Sequence, residues 1–187
     1  MDRRCILILG GARSGKSRFA ENLAGTISGK VLFIATAEAL DEEMKTRIAE
    51  HQRQRPSSWQ TLEAPTDVTK GIAARIGDAE IVLIDCLTLL VSNLMLGEER
   101  GLSESGGLDT KDAENRVVAE IETLAEFIQK TSATFIIVSN EVGLGLVSEN
   151  RLGRVYCDLL GRANQLIARY ANEVYFMVAG IPMKVKG

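Results

Sequence analysis

A chain of 187 residues can fill one hydrophobic core but not two full domains, so a single domain spanning residues 1–187 is expected. Its composition, 45% apolar and 25% charged, excludes a disordered chain, and its longest aliphatic runs are strand-sized rather than membrane-spanning. A formal charge of −3 argues against a protein that coats nucleic acid, and three widely spaced cysteines (Cys5, Cys86, Cys157) offer neither a disulfide framework nor a zinc cluster.

In chain order, strands are predicted over Cys5–Leu9, Val31–Ala35, Trp59–Glu63, Glu80–Ile84, Thr134–Ser139 and Glu173–Val178, with a last edge strand over Met183–Lys186. Helical patterns fall between most of them: Lys16–Ile27, Glu38–Gln54, Asp67–Ile76, Leu87–Leu96, Ala113–Lys130 and Asn150–Ala171. Several strands are almost continuously aliphatic, as in Ile6-Leu7-Ile8-Leu9 and Ile81-Val82-Leu83-Ile84. Strands buried on both faces look like this, and parallel sheets covered by helices bury both faces. The expected fold is therefore three-layer α/β, with a mostly parallel central sheet of about seven strands and helices on both faces. Residues 97–112, rich in glycine and poor in apolar residues, read as a long mobile surface loop. The aliphatic run that follows the N-terminal MDRRC is too short for a signal-peptide core, which predicts a cytoplasmic protein with no membrane span.

The first strand runs into Gly10-Gly11-Ala12-Arg13-Ser14-Gly15-Lys16-Ser17, which fits G-x-x-x-x-G-K-[ST], and an amphipathic helix follows at once. That context makes the motif a phosphate cradle. Glycines let backbone N–H groups point at phosphate oxygens, and the helix N-terminus adds partial positive charge. Lys16 can reach the β- and γ-phosphates, and the Ser17 hydroxyl can ligate Mg²⁺. The companion acid is expected at the end of a neighbouring buried strand, where Asp85 stands; capping of the next helix is its simpler role. Asn140 and Glu141 follow another buried strand and could orient water, metal or substrate, or simply shape a turn with Gly143 and Gly145. The lone histidine, His51, borders the stripe Leu40, Met44, Ile48, with Arg47 and Arg55 four residues to either side. A cationic neighbourhood favours neutral, nucleophilic imidazole, but on charge context alone a surface histidine is the simpler reading.

The strings LGGARSGKSRFAE (Leu9–Glu21), ATAEALDEEMKTRIAEHQRQRP (Ala35–Pro56), SNEVGLGLVSENRLGR (Ser139–Arg154) and VAGIPMKVK (Val178–Lys186) resemble the bifunctional adenosylcobinamide kinase / adenosylcobinamide-phosphate guanylyltransferase family. The resemblance covers essentially the whole chain and implies a P-loop NTPase-type fold. It also implies two reactions of adenosylcobalamin biosynthesis. ATP or GTP phosphorylates the aminopropanol hydroxyl of adenosylcobinamide; a histidine then takes GMP from GTP, expels pyrophosphate and passes GMP to adenosylcobinamide phosphate. By this resemblance His51 is the nucleophile and Lys16 the second catalytic residue. Gly10 to Ser17, Ile34, Ala35, Thr36, Gln52, Arg53, Gln54, Arg55, Glu63 and Asp85 contact nucleotide, and Ser17 and Asp85 hold Mg²⁺. The family also implies a homotrimer with sites between subunits. Many relatives have glutamate at the place of Asp85, which leaves direct and water-bridged metal contact both open. Two alternatives stay open from sequence: a single-activity P-loop kinase for a small hydroxyl substrate, and a recombinase-like nucleotide-dependent binding module.

Overall fold

The structure, a computed structural model, describes residues 4–39, 42–97 and 110–187, without the side chains of residues 43, 47, 51 and 54. The elements in order are β1 (Cys5–Gly10), α1 (Lys16–Thr26), β2 (Val31–Ala35), α2 (Glu42–Gln54), β3 (Gln60–Glu63), α3 (Val68–Arg75), β4 (Ile81–Asp85), α4 (Leu87–Leu96), α5 (Thr110–Lys130), β5 (Thr134–Val138), α6 (Arg151–Tyr170), β6 (Glu173–Val178) and β7 (Ile181–Lys186). The strands form one seven-stranded sheet in the order β3-β2-β4-β5-β1-β6-β7. All pairings are parallel except β6 with β7.

The alternation of side chains along each strand divides the aliphatic runs between two cores. Leu7, Leu32, Ile34, Val82, Ile84, Phe135 and Ile137 face a core completed by Val68 and Ile72 of α3, Leu90 of α4, Ile121 and Leu124 of α5 and Ile167 of α6. The intervening Ile6, Ile8, Phe33, Leu83, Ile136 and Val138 face the other side, where α1 contributes Ala20 and Ala24. Most of these side chains are fully buried, and each Val, Leu, Ile or Phe among them contributes about 1.5–3 kcal/mol through removal from water. Two-sided burial is why the strands are aliphatic at every position.

Register carries the fold toward function. Ala35 pairs with Asp85, Asp85 with Val138, and Ile8 with Val138. The ends of β2, β4 and β5 and the start of the loop after β1 therefore share one sheet edge. Ligands of open α/β sheets bind outside that carboxyl edge.

Three boundaries differ from expectation by two residues or more. The last strand starts at Ile181, two residues before Met183, because a tight turn at Ala179 and Gly180, both with positive φ, pairs Val178 directly with Ile181. Pro182 masks this in sequence, although an edge strand tolerates proline. Helix α5 already includes Thr110, Lys111 and Asp112, so the expected loop is shorter than 97–112. Asp112 in the first turn suits the helix dipole and pairs with Arg116 one turn on. The rest of that loop, 98–109, lies outside the described residues, as do residues 40–41, and α2 is described from Glu42 rather than Glu38.

Candidate nucleotide site

The loop between β1 and α1 has the tight backbone its sequence requires. Gly10 has φ +151° and Gly15, the N-cap of α1, has φ +93°. A Cβ on Gly10 would lie 2.7 Å from the Met177 carbonyl oxygen, so only glycine lets the loop leave β1 this close to β6. The loop is pinned from both flanks. The Gly180 N–H donates to the Ser14 carbonyl (3.0 Å), and the Glu141 N–H donates to the Gly10 carbonyl (3.0 Å). Lys16 is buried and its Nζ donates to the Gly11 carbonyl at 2.6 Å, curling the ammonium back over the loop. The Ser14 Oγ is buried and, among the described residues, has no hydrogen-bond partner.

Above this loop opens a cavity of about 470 Å³. Its walls include the loop from Ala12 to Ser17, Ala35 after β2, Asp85 at the end of β4, and Val138 and Asn140 after β5. Helix α2 closes the remaining side with Met44 and Ile48, and Arg55 follows just beyond its end. None of the described side chains of α2 is fully buried. The stripe Met44, Ile48 therefore faces a cavity rather than a core, a distinction that amphipathic spacing cannot make. His51 lies on α2 between Ile48 and Arg55; its side chain, like that of Gln54, lies outside the described atoms.

Arg55 is the electrostatic centre of this wall. Its guanidinium carbon sits 3.5 Å from the centroid of the Phe33 ring, and Phe33 in turn stacks near Trp59. Its Nε and Nη1 are buried with no hydrogen-bond partner among the described residues. Desolvation lowers its pKa, opposed by the charges of Asp85, Glu21 and Glu63. A half-buried cation with idle donors is a ready receptor for an anionic oxygen. Arg55 also borders a second cavity of about 380 Å³, lined by Gln52, Trp59, Thr61 and Glu63 among others. There Gln52 Nε2 donates weakly to Glu63 Oε1 at 3.4 Å.

The remaining expected residues have other surroundings. Ile34 is fully buried in the larger core. Thr36 is also fully buried; its Oγ1 donates to the Cys86 carbonyl (2.7 Å) and accepts from the Cys86 N–H (2.8 Å). Asn93 Nδ2 donates to the Thr36 carbonyl (2.8 Å) and to that of Pro65 (2.9 Å), tying β2 to α4. Thr36 thus holds the backbone directly after Asp85. Arg53 is exposed and lines neither cavity. Asp85 does not cap α4: the N-cap position is Cys86, with no side-chain cap bond. Of the pair after β5, Asn140 faces the cavity, whereas Glu141 accepts the Gly143 N–H at 2.6 Å in a turn.

Cys86, Thr88 and Leu89 line the cavity without having been singled out in sequence. Burial, with a smaller contribution from Asp85, pushes the Cys86 thiol up to about 11. The only available sequence signal was position: the start of a helix immediately after the strand-end acid.

The family model described as cobinamide kinase / cobinamide phosphate guanyltransferase matches residues 6–185. The bifunctional adenosylcobalamin biosynthesis protein CobU of Escherichia coli is 44% identical over 181 residues, covering 97% of this chain and 99% of its own. CobU of Salmonella typhimurium is 42% identical over 183 residues, with 97% and 99% coverage. CobP of Pseudomonas aeruginosa is 42% identical over 181 residues, with 97% and 96% coverage.

Proposed function

Because this chain belongs to the cobinamide kinase / cobinamide phosphate guanyltransferase family, we propose that it carries out two successive transfers in adenosylcobalamin biosynthesis. The first moves the γ-phosphoryl group of ATP or GTP to the side-arm hydroxyl of adenosylcobinamide. The second moves GMP from GTP to the resulting phosphate. One observation carries the reading: the phosphate loop, the strand-end acid and the helix bearing His51 enclose a single cavity.

In the phosphoryl step the loop N–H groups from Gly11 to Ser17 and Lys16 hold the β- and γ-phosphates while charge spreads over the transferring group. The Ser14 hydroxyl and the Arg55 guanidinium supply buried donors that phosphate oxygens would satisfy. Ser17 Oγ and the Asp85 carboxylate line the same cavity and are hard oxygen donors. That set fits Mg²⁺, which completes its shell with phosphate oxygens and water rather than a protein cage. When bound there, the ion neutralises charge on the phosphates.

In the nucleotidyl step neutral His51 attacks the α-phosphorus of GTP. The P–N bond forms, the bond to the bridging oxygen breaks, and pyrophosphate leaves. An oxygen of cobinamide phosphate then attacks the same phosphorus, breaks the P–N bond and restores the imidazole. Covalent transfer divides one hard displacement into two easier ones. The second cavity suits the base: the Glu63 carboxylate can accept from the N1–H and amino group of guanine, a donor pair that adenine lacks. Arg55, which borders both cavities, then lies between base and phosphates, and Gln52 lies with Glu63 beside the base.

We take the working form to be a cytoplasmic homotrimer. The exposed Ile181, Met183 and Val185, spaced two apart on the edge strand β7, support a subunit contact, which sedimentation velocity measures. Among the described residues no helix is long and apolar enough to cross a membrane.

Intact-mass spectrometry after exposure to GTP tests the mechanism. The native chain is expected to gain one acid-labile GMP, and His51→Ala none, while His51→Ala keeps phosphorylating adenosylcobinamide. GMP incorporation by His51→Ala would overturn the covalent assignment.

A further inference from the structure

The segment from Asn140 to Glu149 presents three aliphatic side chains to solvent within four residues: Leu144 (79% exposed), Leu146 (101%) and Val147 (82%). Isolated exposed aliphatics need no explanation, but a contiguous set does. This set does not sit on a frayed end. On one side the chain leaves β5 along the cavity wall at Val138 and Asn140, and the Glu141 N–H is bonded to the Gly10 carbonyl of the phosphate loop. On the other side Arg154 Nη1 donates to the carbonyls of Ser148 (2.9 Å) and Glu149 (2.7 Å), and Asn150 caps α6 through the Leu152 N–H (2.8 Å). The aliphatics are thus held out by a segment fixed at both ends, and one of the two anchors is the phosphate cradle. Even a fully extended chain places Leu144 within about 14 Å of Asn140 on the cavity wall.

We propose that Leu144, Leu146 and Val147 form the docking surface for the corrin macrocycle of the acceptor substrate. This inference rests on the cobinamide reading above. Size makes the argument: a cavity of about 470 Å³ suits a drug-sized ligand, and a corrin ring carrying amide arms and an adenosyl group cannot enter it beside a nucleotide. The acceptor hydroxyl sits on a flexible side arm. The arm enters toward the γ-phosphate, and the macrocycle stays at the rim. The methyl-studded edge of the ring then needs an apolar surface continuous with the cavity, and this segment supplies it. Charge agrees: cobinamide, which lacks the nucleotide phosphate, is a cation, and Glu141 and Glu149 flank the aliphatics. Residues 140–149 carry no cation; the arginines that follow are aimed away from the aliphatics, Arg154 at the Ser148 and Glu149 carbonyls and Arg151 at Thr110 Oγ1 (3.2 Å). The exposed aliphatics of β7 begin beside the phosphate loop, where Gly180 bonds the Ser14 carbonyl, but no β7 residue lines the cavity, and they are assigned above to the subunit contact.

The test is a full-length variant carrying Leu144→Ser, Leu146→Ser and Val147→Ser, at positions exposed enough to leave folding intact. Three readouts separate the possibilities: equilibrium dialysis with adenosylcobinamide, GMP incorporation from GTP without corrinoid, and sedimentation velocity. The expected result is an adenosylcobinamide Kd raised about tenfold or more, with GMP incorporation and assembly state as in the native chain. Unchanged corrinoid binding beside normal GMP incorporation overturns the inference while leaving the functional reading intact. A changed assembly state makes the segment a subunit contact and also overturns it. A native chain that binds no adenosylcobinamide refutes the functional reading, and the inference falls with it.

Discussion

The Thr36 hydroxyl is the most informative single group to remove, because it supports the catalytic edge without lying open to the cavity. Thr36→Val keeps the shape and deletes only the oxygen. The Cys86 N–H, now bonded at 2.8 Å, then loses its partner, while the Cys86 carbonyl loses the hydroxyl at 2.7 Å but still accepts from the Leu90 N–H at 3.3 Å. One unsatisfied buried donor costs about 1–3 kcal/mol, and the carbonyl, which keeps a partner, adds little. For a chain of this size that is a fall in Tm of about 2–12 °C. Urea unfolding should show a lower midpoint at unchanged m-value, since the surface exposed on unfolding stays the same. Thr36→Ser retains the oxygen and loses a methyl, so it should cost no more than about 1.5 kcal/mol. Asp85 immediately precedes Cys86, so phosphoryl transfer should fall in Thr36→Val more than in Thr36→Ser. A Thr36→Val protein within about 0.5 kcal/mol of native, or a Thr36→Ser protein equally damaged, would refute the hydrogen-bond argument.

Three further outcomes follow from the site. Lys16→Met should lower both the phosphoryl and guanylyl steps by about 10²–10³-fold in single-turnover assays, because one preorganised donor to phosphate is lost, while thermal unfolding stays close to native. Gly10→Ala should destabilise the fold by about 2–4 kcal/mol in denaturant titration: its φ of +151° disfavours a side chain, and the new Cβ meets the Met177 carbonyl oxygen at 2.7 Å. With its thiol pushed up to about 11, Cys86 is protonated at neutral pH, and only the thiolate reacts. Its alkylation by iodoacetamide, followed by peptide mass spectrometry, should therefore rise about tenfold per pH unit from pH 8 to 10, and nucleotide in the cavity should suppress it; a plateau near pH 9 would contradict the burial.

What the sequence by itself determined was local. The aliphatic runs predicted β1, β2, β4 and β5 within a residue, because two-sided burial demands apolar side chains at nearly every position. The loop from Gly10 to Ser17 was legible because its glycines and Lys16 are dictated by the backbone they must form. Tertiary structure decided everything that depends on which surfaces meet. Met44 and Ile48 carry the spacing of a core stripe, and only the placement of α2 beside the sheet edge turns them into cavity wall. The family resemblance implies a nucleotide contact at Thr36; only the parallel register of Ala35 with Asp85 shows that its hydroxyl is set against the Cys86 backbone. Arg55 was one arginine among several until Phe33 packed beneath it and burial left two of its nitrogens without partners among the described residues. Strand order, register and the approach of distant segments arise from packing across the sheet, and no single stretch of chain contains that information.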